Sequence, residues 1–109
     1  MNVEEMKIKL KSIESVTFSK HYYEPKVKIR GVLEDEILFN LKNPEKLVYV
    51  EYQGEDIRGH KYALLFSKSN RYDLKILVSM KDKSINVITT YIQNIKRRKV
   101  LDQWLKKRR

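Results

Sequence analysis

The second half of the chain alternates apolar and polar residues with the period of two that is typical of β-strands. Four segments carry this pattern, and short polar stretches typical of turns separate them: residues 47–53, 60–68, 72–80 and 84–93. Because the separations are short, consecutive segments are expected to pair antiparallel as hairpins. The pattern therefore predicts a four-stranded antiparallel meander.

The same alternation assigns the side chains of the last strand to the two faces of the sheet. An uninterrupted period of two places one set of residues on one face: Ile85, Val87, Thr89 and Tyr91. It places the alternate set on the other face: Asn86, Ile88, Thr90 and Ile92. We therefore expect Thr89 and Tyr91 to lie beside the apolar residues that precede them.

Helical spacing of apolar residues marks the first half of the chain. Val3, Met6, Leu10 and Ile13 favour an N-terminal helix. Residues 16–18 fit either a short strand or an extended connection. A second helix is expected between Ser19 and Gly31, and a third over residues 33–44, which Asn43 and Pro44 end.

The C-terminal residues 94–109 predict a last helix, with Asn94 as its N-cap. Its apolar seam is Val100, Leu101, Trp104 and Leu105, and the rest of its surface is almost wholly basic. Taken together, the elements predict a single α+β domain over residues 1–109. Its N-terminal helices would pack on a four-stranded antiparallel sheet, followed by a basic C-terminal helix.

Composition narrows the function. The 109 residues include no cysteine and two histidines, which excludes a disulfide scaffold or thiolate site and argues against zinc. We expect no metal and no cofactor.

Lysine and arginine number 24 against 14 acidic residues, a net charge of +10 that attracts polyanions. The N-terminus lacks an apolar signal region and no apolar run is long enough to span a bilayer, so we expect a cytoplasmic protein without a membrane partner.

Candidate chemistry follows from that charge. A metal-independent ribonuclease needs a group that activates the ribose 2′-hydroxyl, an acid for the leaving oxygen and cations for the phosphorane-like transition state. His21 is the first candidate, and Thr89 with Tyr91 forms a polar end to the last strand. The candidates for binding RNA or phosphate are basic side chains: Lys26, Lys28, Arg30, His60, Lys96, Arg97 and Arg98.

Several of these residues also carry a resemblance. The strand-like TFSKH, the Arg30-Gly31 pair, the helix ending at Asn43-Pro44 and the final VITTY resemble the barnase–EndoU–colicin–RelE superfamily, close to RelE-like and BrnT-like toxins and phage-associated domains. The chain has Pro25 where such families often place an arginine, with Lys26 and Lys28 as substitutes. The resemblance implies a metal-independent ribonuclease fold, His21 as base or acid, and Thr89 with Tyr91 as groups that orient the substrate.

The leading hypothesis is therefore a RelE-like ribonuclease toxin of a toxin–antitoxin system, acting on free or ribosome-associated RNA, with an acidic antitoxin as partner. Two alternatives stay open. One is a nucleic-acid-binding protein of the same fold that does not cleave. The other is a basic protein that binds an acidic protein partner. The sequence does not determine the oligomeric state.

Overall fold

The architecture is that of a computed structural model, which describes residues 1–19 and 34–96. Two α-helices lie within these ranges, α1 (Val3–Lys11) and α2 (Glu34–Lys42), and a short 3-10 helix, Pro44–Lys46, follows α2. The described strands are β1 (Ser15–Phe18), β2 (Leu47–Asp56), β3 (Gly59–Ser67), β4 (Tyr72–Lys81) and β5 (Ser84–Asn94). No helix in the described ranges is long and apolar enough to cross a membrane.

The strands form one mixed sheet in the order β1-β5-β4-β3-β2. The predicted meander of β2 to β5 is present, but the expected four-stranded antiparallel sheet is wrong, because β1 adds a fifth strand parallel to β5. Val16 and Phe18 of β1 lie opposite Ile85 and Val87 and pack against the same core. A strand of four residues is too short for its periodicity to distinguish it from a connection.

The predicted arrangement of the helices is also corrected, since β1 lies between α1 and α2 and the helices are not all N-terminal to the sheet. The helix expected between Ser19 and Gly31 lies outside the described residues. Almost all of the expected C-terminal helix does so too. At its start, the Asn94 side-chain oxygen accepts a hydrogen bond of 2.9 Å from the backbone N–H of Lys96.

Both described helices pack on one face of the sheet, which we call the helix face. A capping box at Asn2 and Glu5 starts α1 and satisfies backbone donors at its N-terminus. The helices bury two apolar side chains each, Met6 and Leu10 from α1 and Ile37 and Leu41 from α2. These side chains meet the apolar residues of β3, β4 and β5 in one core, and Phe66 at its centre is fully buried.

A β-bulge in β5 changes the face assignment that the alternation predicts. Val87 pairs with Val78, but Leu77 pairs with Thr89, so Ile88 is an extra residue in β5. Paired residues share a face, so Thr89 joins Leu77 on the face opposite the helices, which we call the second face. The expectation that Thr89 and Tyr91 share a face with Ile85 and Val87 is therefore wrong, because one inserted residue reverses the alternation.

Part of the second face is buried as well. Ala63, Leu65, Asp73 and Ser79 point to it, and each is at most 2% exposed. A position on the second face is therefore not by itself a position in solvent.

Asp56, where β2 meets the turn to β3, has a carboxylate whose pKa reports the contacts that hold this hairpin together. Asp56 accepts a 2.8 Å hydrogen bond from the backbone N–H of Arg58 and pairs with Lys61 at 3.1 Å. The backbone hydrogen bond, and then Lys61, lower the pKa of Asp56 from its ordinary value of 3.8.

We therefore expect Asp56 to stabilise the hairpin above the unfolded-state pKa and to lose that contribution as the pH falls through the lower folded-state pKa. NMR titration of the carboxyl carbon measures this pKa directly. In Lys61→Met the pKa should rise partway but stay low, because the Arg58 N–H remains. A normal Asp56 pKa in the unmodified protein would contradict the hydrogen bond.

Candidate functional site

The bulge gathers the first group of candidate residues on the second face. Thr89, Tyr91 and Lys75 form what we call the β5 site. Lys75 is the direct cross-strand partner of Tyr91, and its ammonium nitrogen lies 5.2 Å from the centre of the Tyr91 ring. This cation–π contact holds a positive charge beside a phenol. Thr89 is 9% exposed, and Tyr91 and Lys75 are half-buried.

The end of β1 is attached to the same bulge. The backbone N–H of Ser19 donates to the Val87 carbonyl at 2.8 Å, and its hydroxyl donates to the Ile88 carbonyl at 2.7 Å. Two hydrogen bonds from one residue fix both its backbone and its side chain on β5. The chain therefore leaves the described residues at Ser19, directly beside the strand that carries Thr89 and Tyr91.

Sequence reasoning missed two residues of this surface, Lys75 and Asp73. On β4 the apolar set Leu74 and Ile76 predicts that Asp73 and Lys75 face the other side, and this was the available signal. The register after the bulge, which no local pattern reveals, brings Lys75 to Tyr91. Asp73 is fully buried two residues earlier on the same face, so a carboxyl group neighbours the β5 site.

His60 lies elsewhere. It pairs with Met80 on the helix face, whereas Thr89 and Tyr91 lie on the second face, so these candidates do not share a site. The hydroxyl of Tyr52 and Nδ1 of His60 are hydrogen-bonded at 3.0 Å. The third ring of the group is that of Tyr62, whose centre is 5.2 Å from that of Tyr52.

The pKa of the Tyr62 hydroxyl departs from its ordinary value. Burial raises the pKa of its hydroxyl above the ordinary value of 10.0, and the neighbouring Tyr52 adds to the rise. The hydroxyl therefore stays protonated at neutral pH and can donate a hydrogen bond.

The remaining candidates divide between the end of β5 and the residues outside the described ranges. Lys96 is exposed just beyond β5, and the backbone N–H of Ile95 donates to the Arg71 carbonyl at 2.8 Å, which ties this end to the turn between β3 and β4. Six predicted site residues lie outside the described residues: His21, Lys26, Lys28, Arg30, Arg97 and Arg98.

Comparison with known proteins gave no match: no family model matches the chain, and no curated protein or solved structure matches it significantly. Functional inference therefore rests on the residues and their geometry.

Proposed function

We propose that this protein is a metal-independent ribonuclease of the RelE-like kind, with the β5 site and His21 as its active site. The observation that carries the proposal is the double hydrogen bond from Ser19 to β5. Only Lys20 separates Ser19 from His21 in the sequence, and this short separation supports our assignment of His21 to the same site as Thr89 and Tyr91.

The chemistry uses side chains alone. His21 takes the proton of a ribose 2′-hydroxyl, and the 2′-oxygen attacks the adjacent phosphorus. The bond from phosphorus to the 5′-oxygen breaks and that oxygen takes up a proton from water, which leaves a 2′,3′-cyclic phosphate and a 5′-hydroxyl. Lys75 stabilises the negative charge that develops on phosphorus, while Thr89 and Tyr91 orient the phosphodiester.

The partners follow from the charge and from the toxin resemblance. With a net charge of +10 the chain attracts RNA over the range of the Debye length. As a RelE-like toxin it would act in the cytoplasm, on free or ribosome-bound RNA. An acidic antitoxin would bind the basic surface that attracts RNA and neutralise its charge.

RNA binding without cleavage is the second candidate. It is favoured by the position of His60, because among the described residues no histidine lies on the second face with Thr89 and Tyr91. In that case the Lys75–Tyr91 pair would bind phosphate and base without activating the 2′-hydroxyl. Binding would then weaken with salt, with a slope of about −0.7 per phosphate contacted on single strands, while the RNA stays intact.

The deciding experiment uses the purified full chain, end-labelled RNA and EDTA. We expect RNA fragments that end in 2′,3′-cyclic phosphate, and no cleavage of DNA of the same sequence, which lacks the 2′-hydroxyl. Intact RNA that remains bound would support the second candidate, and equal cleavage of DNA would contradict the mechanism.

Two adjacent threonines provide a matched pair for the β5 site. Thr89→Val is expected to slow cleavage about threefold to tenfold, the loss of one hydrogen bond of roughly 0.5–1.5 kcal/mol. Thr90→Val is expected to keep the rate, because Thr90 pairs with Ile76 on the helix face and is fully buried there. Equal effects of the two variants would place the chemistry away from the second face.

A further inference from the structure

A cavity of about 580 Å³ lies on the helix face at one end of the sheet, where the turns β2–β3 and β4–β5 meet the N-terminus. Its walls combine four kinds of side chain. They are apolar (Met1 and Met80), aromatic (His60 and Tyr62), acidic (Glu55 and Asp82) and basic (Lys9 and Lys81). The β5 site, on the second face, does not include this cavity.

Three rings stand together beside the cavity: Tyr52, His60 and Tyr62, which we call the aromatic cluster. The Tyr52 ring centre lies 5.8 Å from that of His60, with the ring planes at 45°. Tyr52 is held by its 3.0 Å hydrogen bond to His60 and by its cross-strand pairing with Tyr62. It is nevertheless 52% exposed, so the cluster offers a fixed ring surface to solvent.

The charges around the cavity do not suit a phosphate. At its wall the three carboxylates of Glu55, Asp56 and Asp82 outnumber two ammonium groups, those of Lys9 and Lys81. The ammonium group of Lys9 already donates to the Asp82 carbonyl at 2.8 Å, and Lys61 is paired with Asp56 at 3.1 Å. This end of a strongly basic chain is therefore better suited to a neutral, flat group whose N–H donors meet carboxylates than to an anion.

We propose that the cavity and its aromatic cluster form a subsite for one unstacked base of single-stranded RNA. Single-stranded RNA is recognised by splayed bases that stack on tyrosine and histidine rings and hydrogen-bond at their edges. Tyr52 and His60 supply the rings, and Glu55 accepts hydrogen bonds from the base edge. The inference rests on the proposed function, since it takes RNA as the ligand and adds a contact remote from the cleaved bond.

The test separates bases from phosphates. Binding of the full chain is measured, in EDTA, to a cleavage-resistant 2′-O-methyl oligonucleotide and to a base-free sugar–phosphate oligomer of equal length and charge. We expect the base-containing probe to bind about 5- to 150-fold more tightly, the range for stacking of one base. Tyr52→Ala and His60→Ala should reduce that ratio, chiefly by weakening the base-containing probe.

Tyr72→Ala is the matched control, because Tyr72 is 45% exposed on the same sheet but belongs neither to the aromatic cluster nor to the cavity wall. It should leave the ratio unchanged, and circular dichroism checks that each variant folds. In addition, a 4-thiouridine probe should crosslink to the segment 52–62.

The failures are distinguishable. Equal binding of both probes, or a ratio that Tyr52→Ala and His60→Ala leave intact, would overturn the base subsite while RNA binding stands. Binding of neither probe at low salt would overturn RNA binding itself and this inference with it.

Discussion

Replacing His21 by alanine is expected to lower the rate of RNA cleavage in EDTA by about 10²- to 10⁴-fold, the usual contribution of one general acid or base. The expectation rests on the proposed function, which is supported by the two hydrogen bonds from Ser19, two residues before His21, to the strand β5. Single-turnover cleavage of labelled RNA at saturating protein measures the change. RNA affinity should fall much less, because most of it comes from phosphate contacts spread over many cations.

The other histidine gives the comparison. His60→Ala removes the same type of side chain from the helix face of the sheet. It is expected to raise the protein concentration needed for half-saturation rather than to lower the saturated rate. The saturated rate should therefore separate the two variants. If His21→Ala cleaves as fast as the unmodified protein at saturation, His21 is not the base and the assignment fails.

Replacing Gly59 by alanine is expected to destabilise the protein by about 2–6 kcal/mol, the sum of backbone strain and a steric clash. Gly59 has φ +117°, a region that side chains other than glycine rarely occupy. A Cβ there would collide with the carbonyl oxygen of Met80 and lie 2.8 Å from its carbonyl carbon. Because that neighbour is backbone in the β3–β4 ladder, relief requires the two strands to move apart.

Gly54 is the control within the same hairpin. Its φ is +105°, but a Cβ at this position meets nothing within 4 Å. Gly54→Ala should therefore cost only the strain, about 1–3 kcal/mol. Urea unfolding of both variants measures the difference, and equal losses would show that the contact with Met80 is not tight.

Much of the fold was predictable because the residue pattern within each segment indicates its secondary structure. The four strands of the meander each repeat their pattern over nine to eleven residues, and α2 carries acidic residues in its first turn, with Asn43 and Pro44 directly after it. Over such lengths the periodicity is unambiguous. The strand β1 was left open, because four residues contain no more than two repeats of the alternation.

The candidate site was predictable only in part. Thr89 and Tyr91 were recognised as a polar end to the last strand, but their face was predicted wrongly. Ile88 is apolar and β-branched, so nothing in its chemistry marks it as the extra residue of a bulge. The register against β4 decides this, and that register is a property of two strands together.

By itself, the sequence determined the α+β class, the four strands of the meander and α2 from patterns within single segments, and the charge of +10 from a sum over residues. Only the tertiary structure decided that β1 pairs with β5, that Lys75 reaches Tyr91, and that two turns and the N-terminus enclose a cavity beside Tyr52 and His60. The physical reason is that these contacts join residues far apart in the chain. Their geometry depends on pairing register and packing rather than on any local preference.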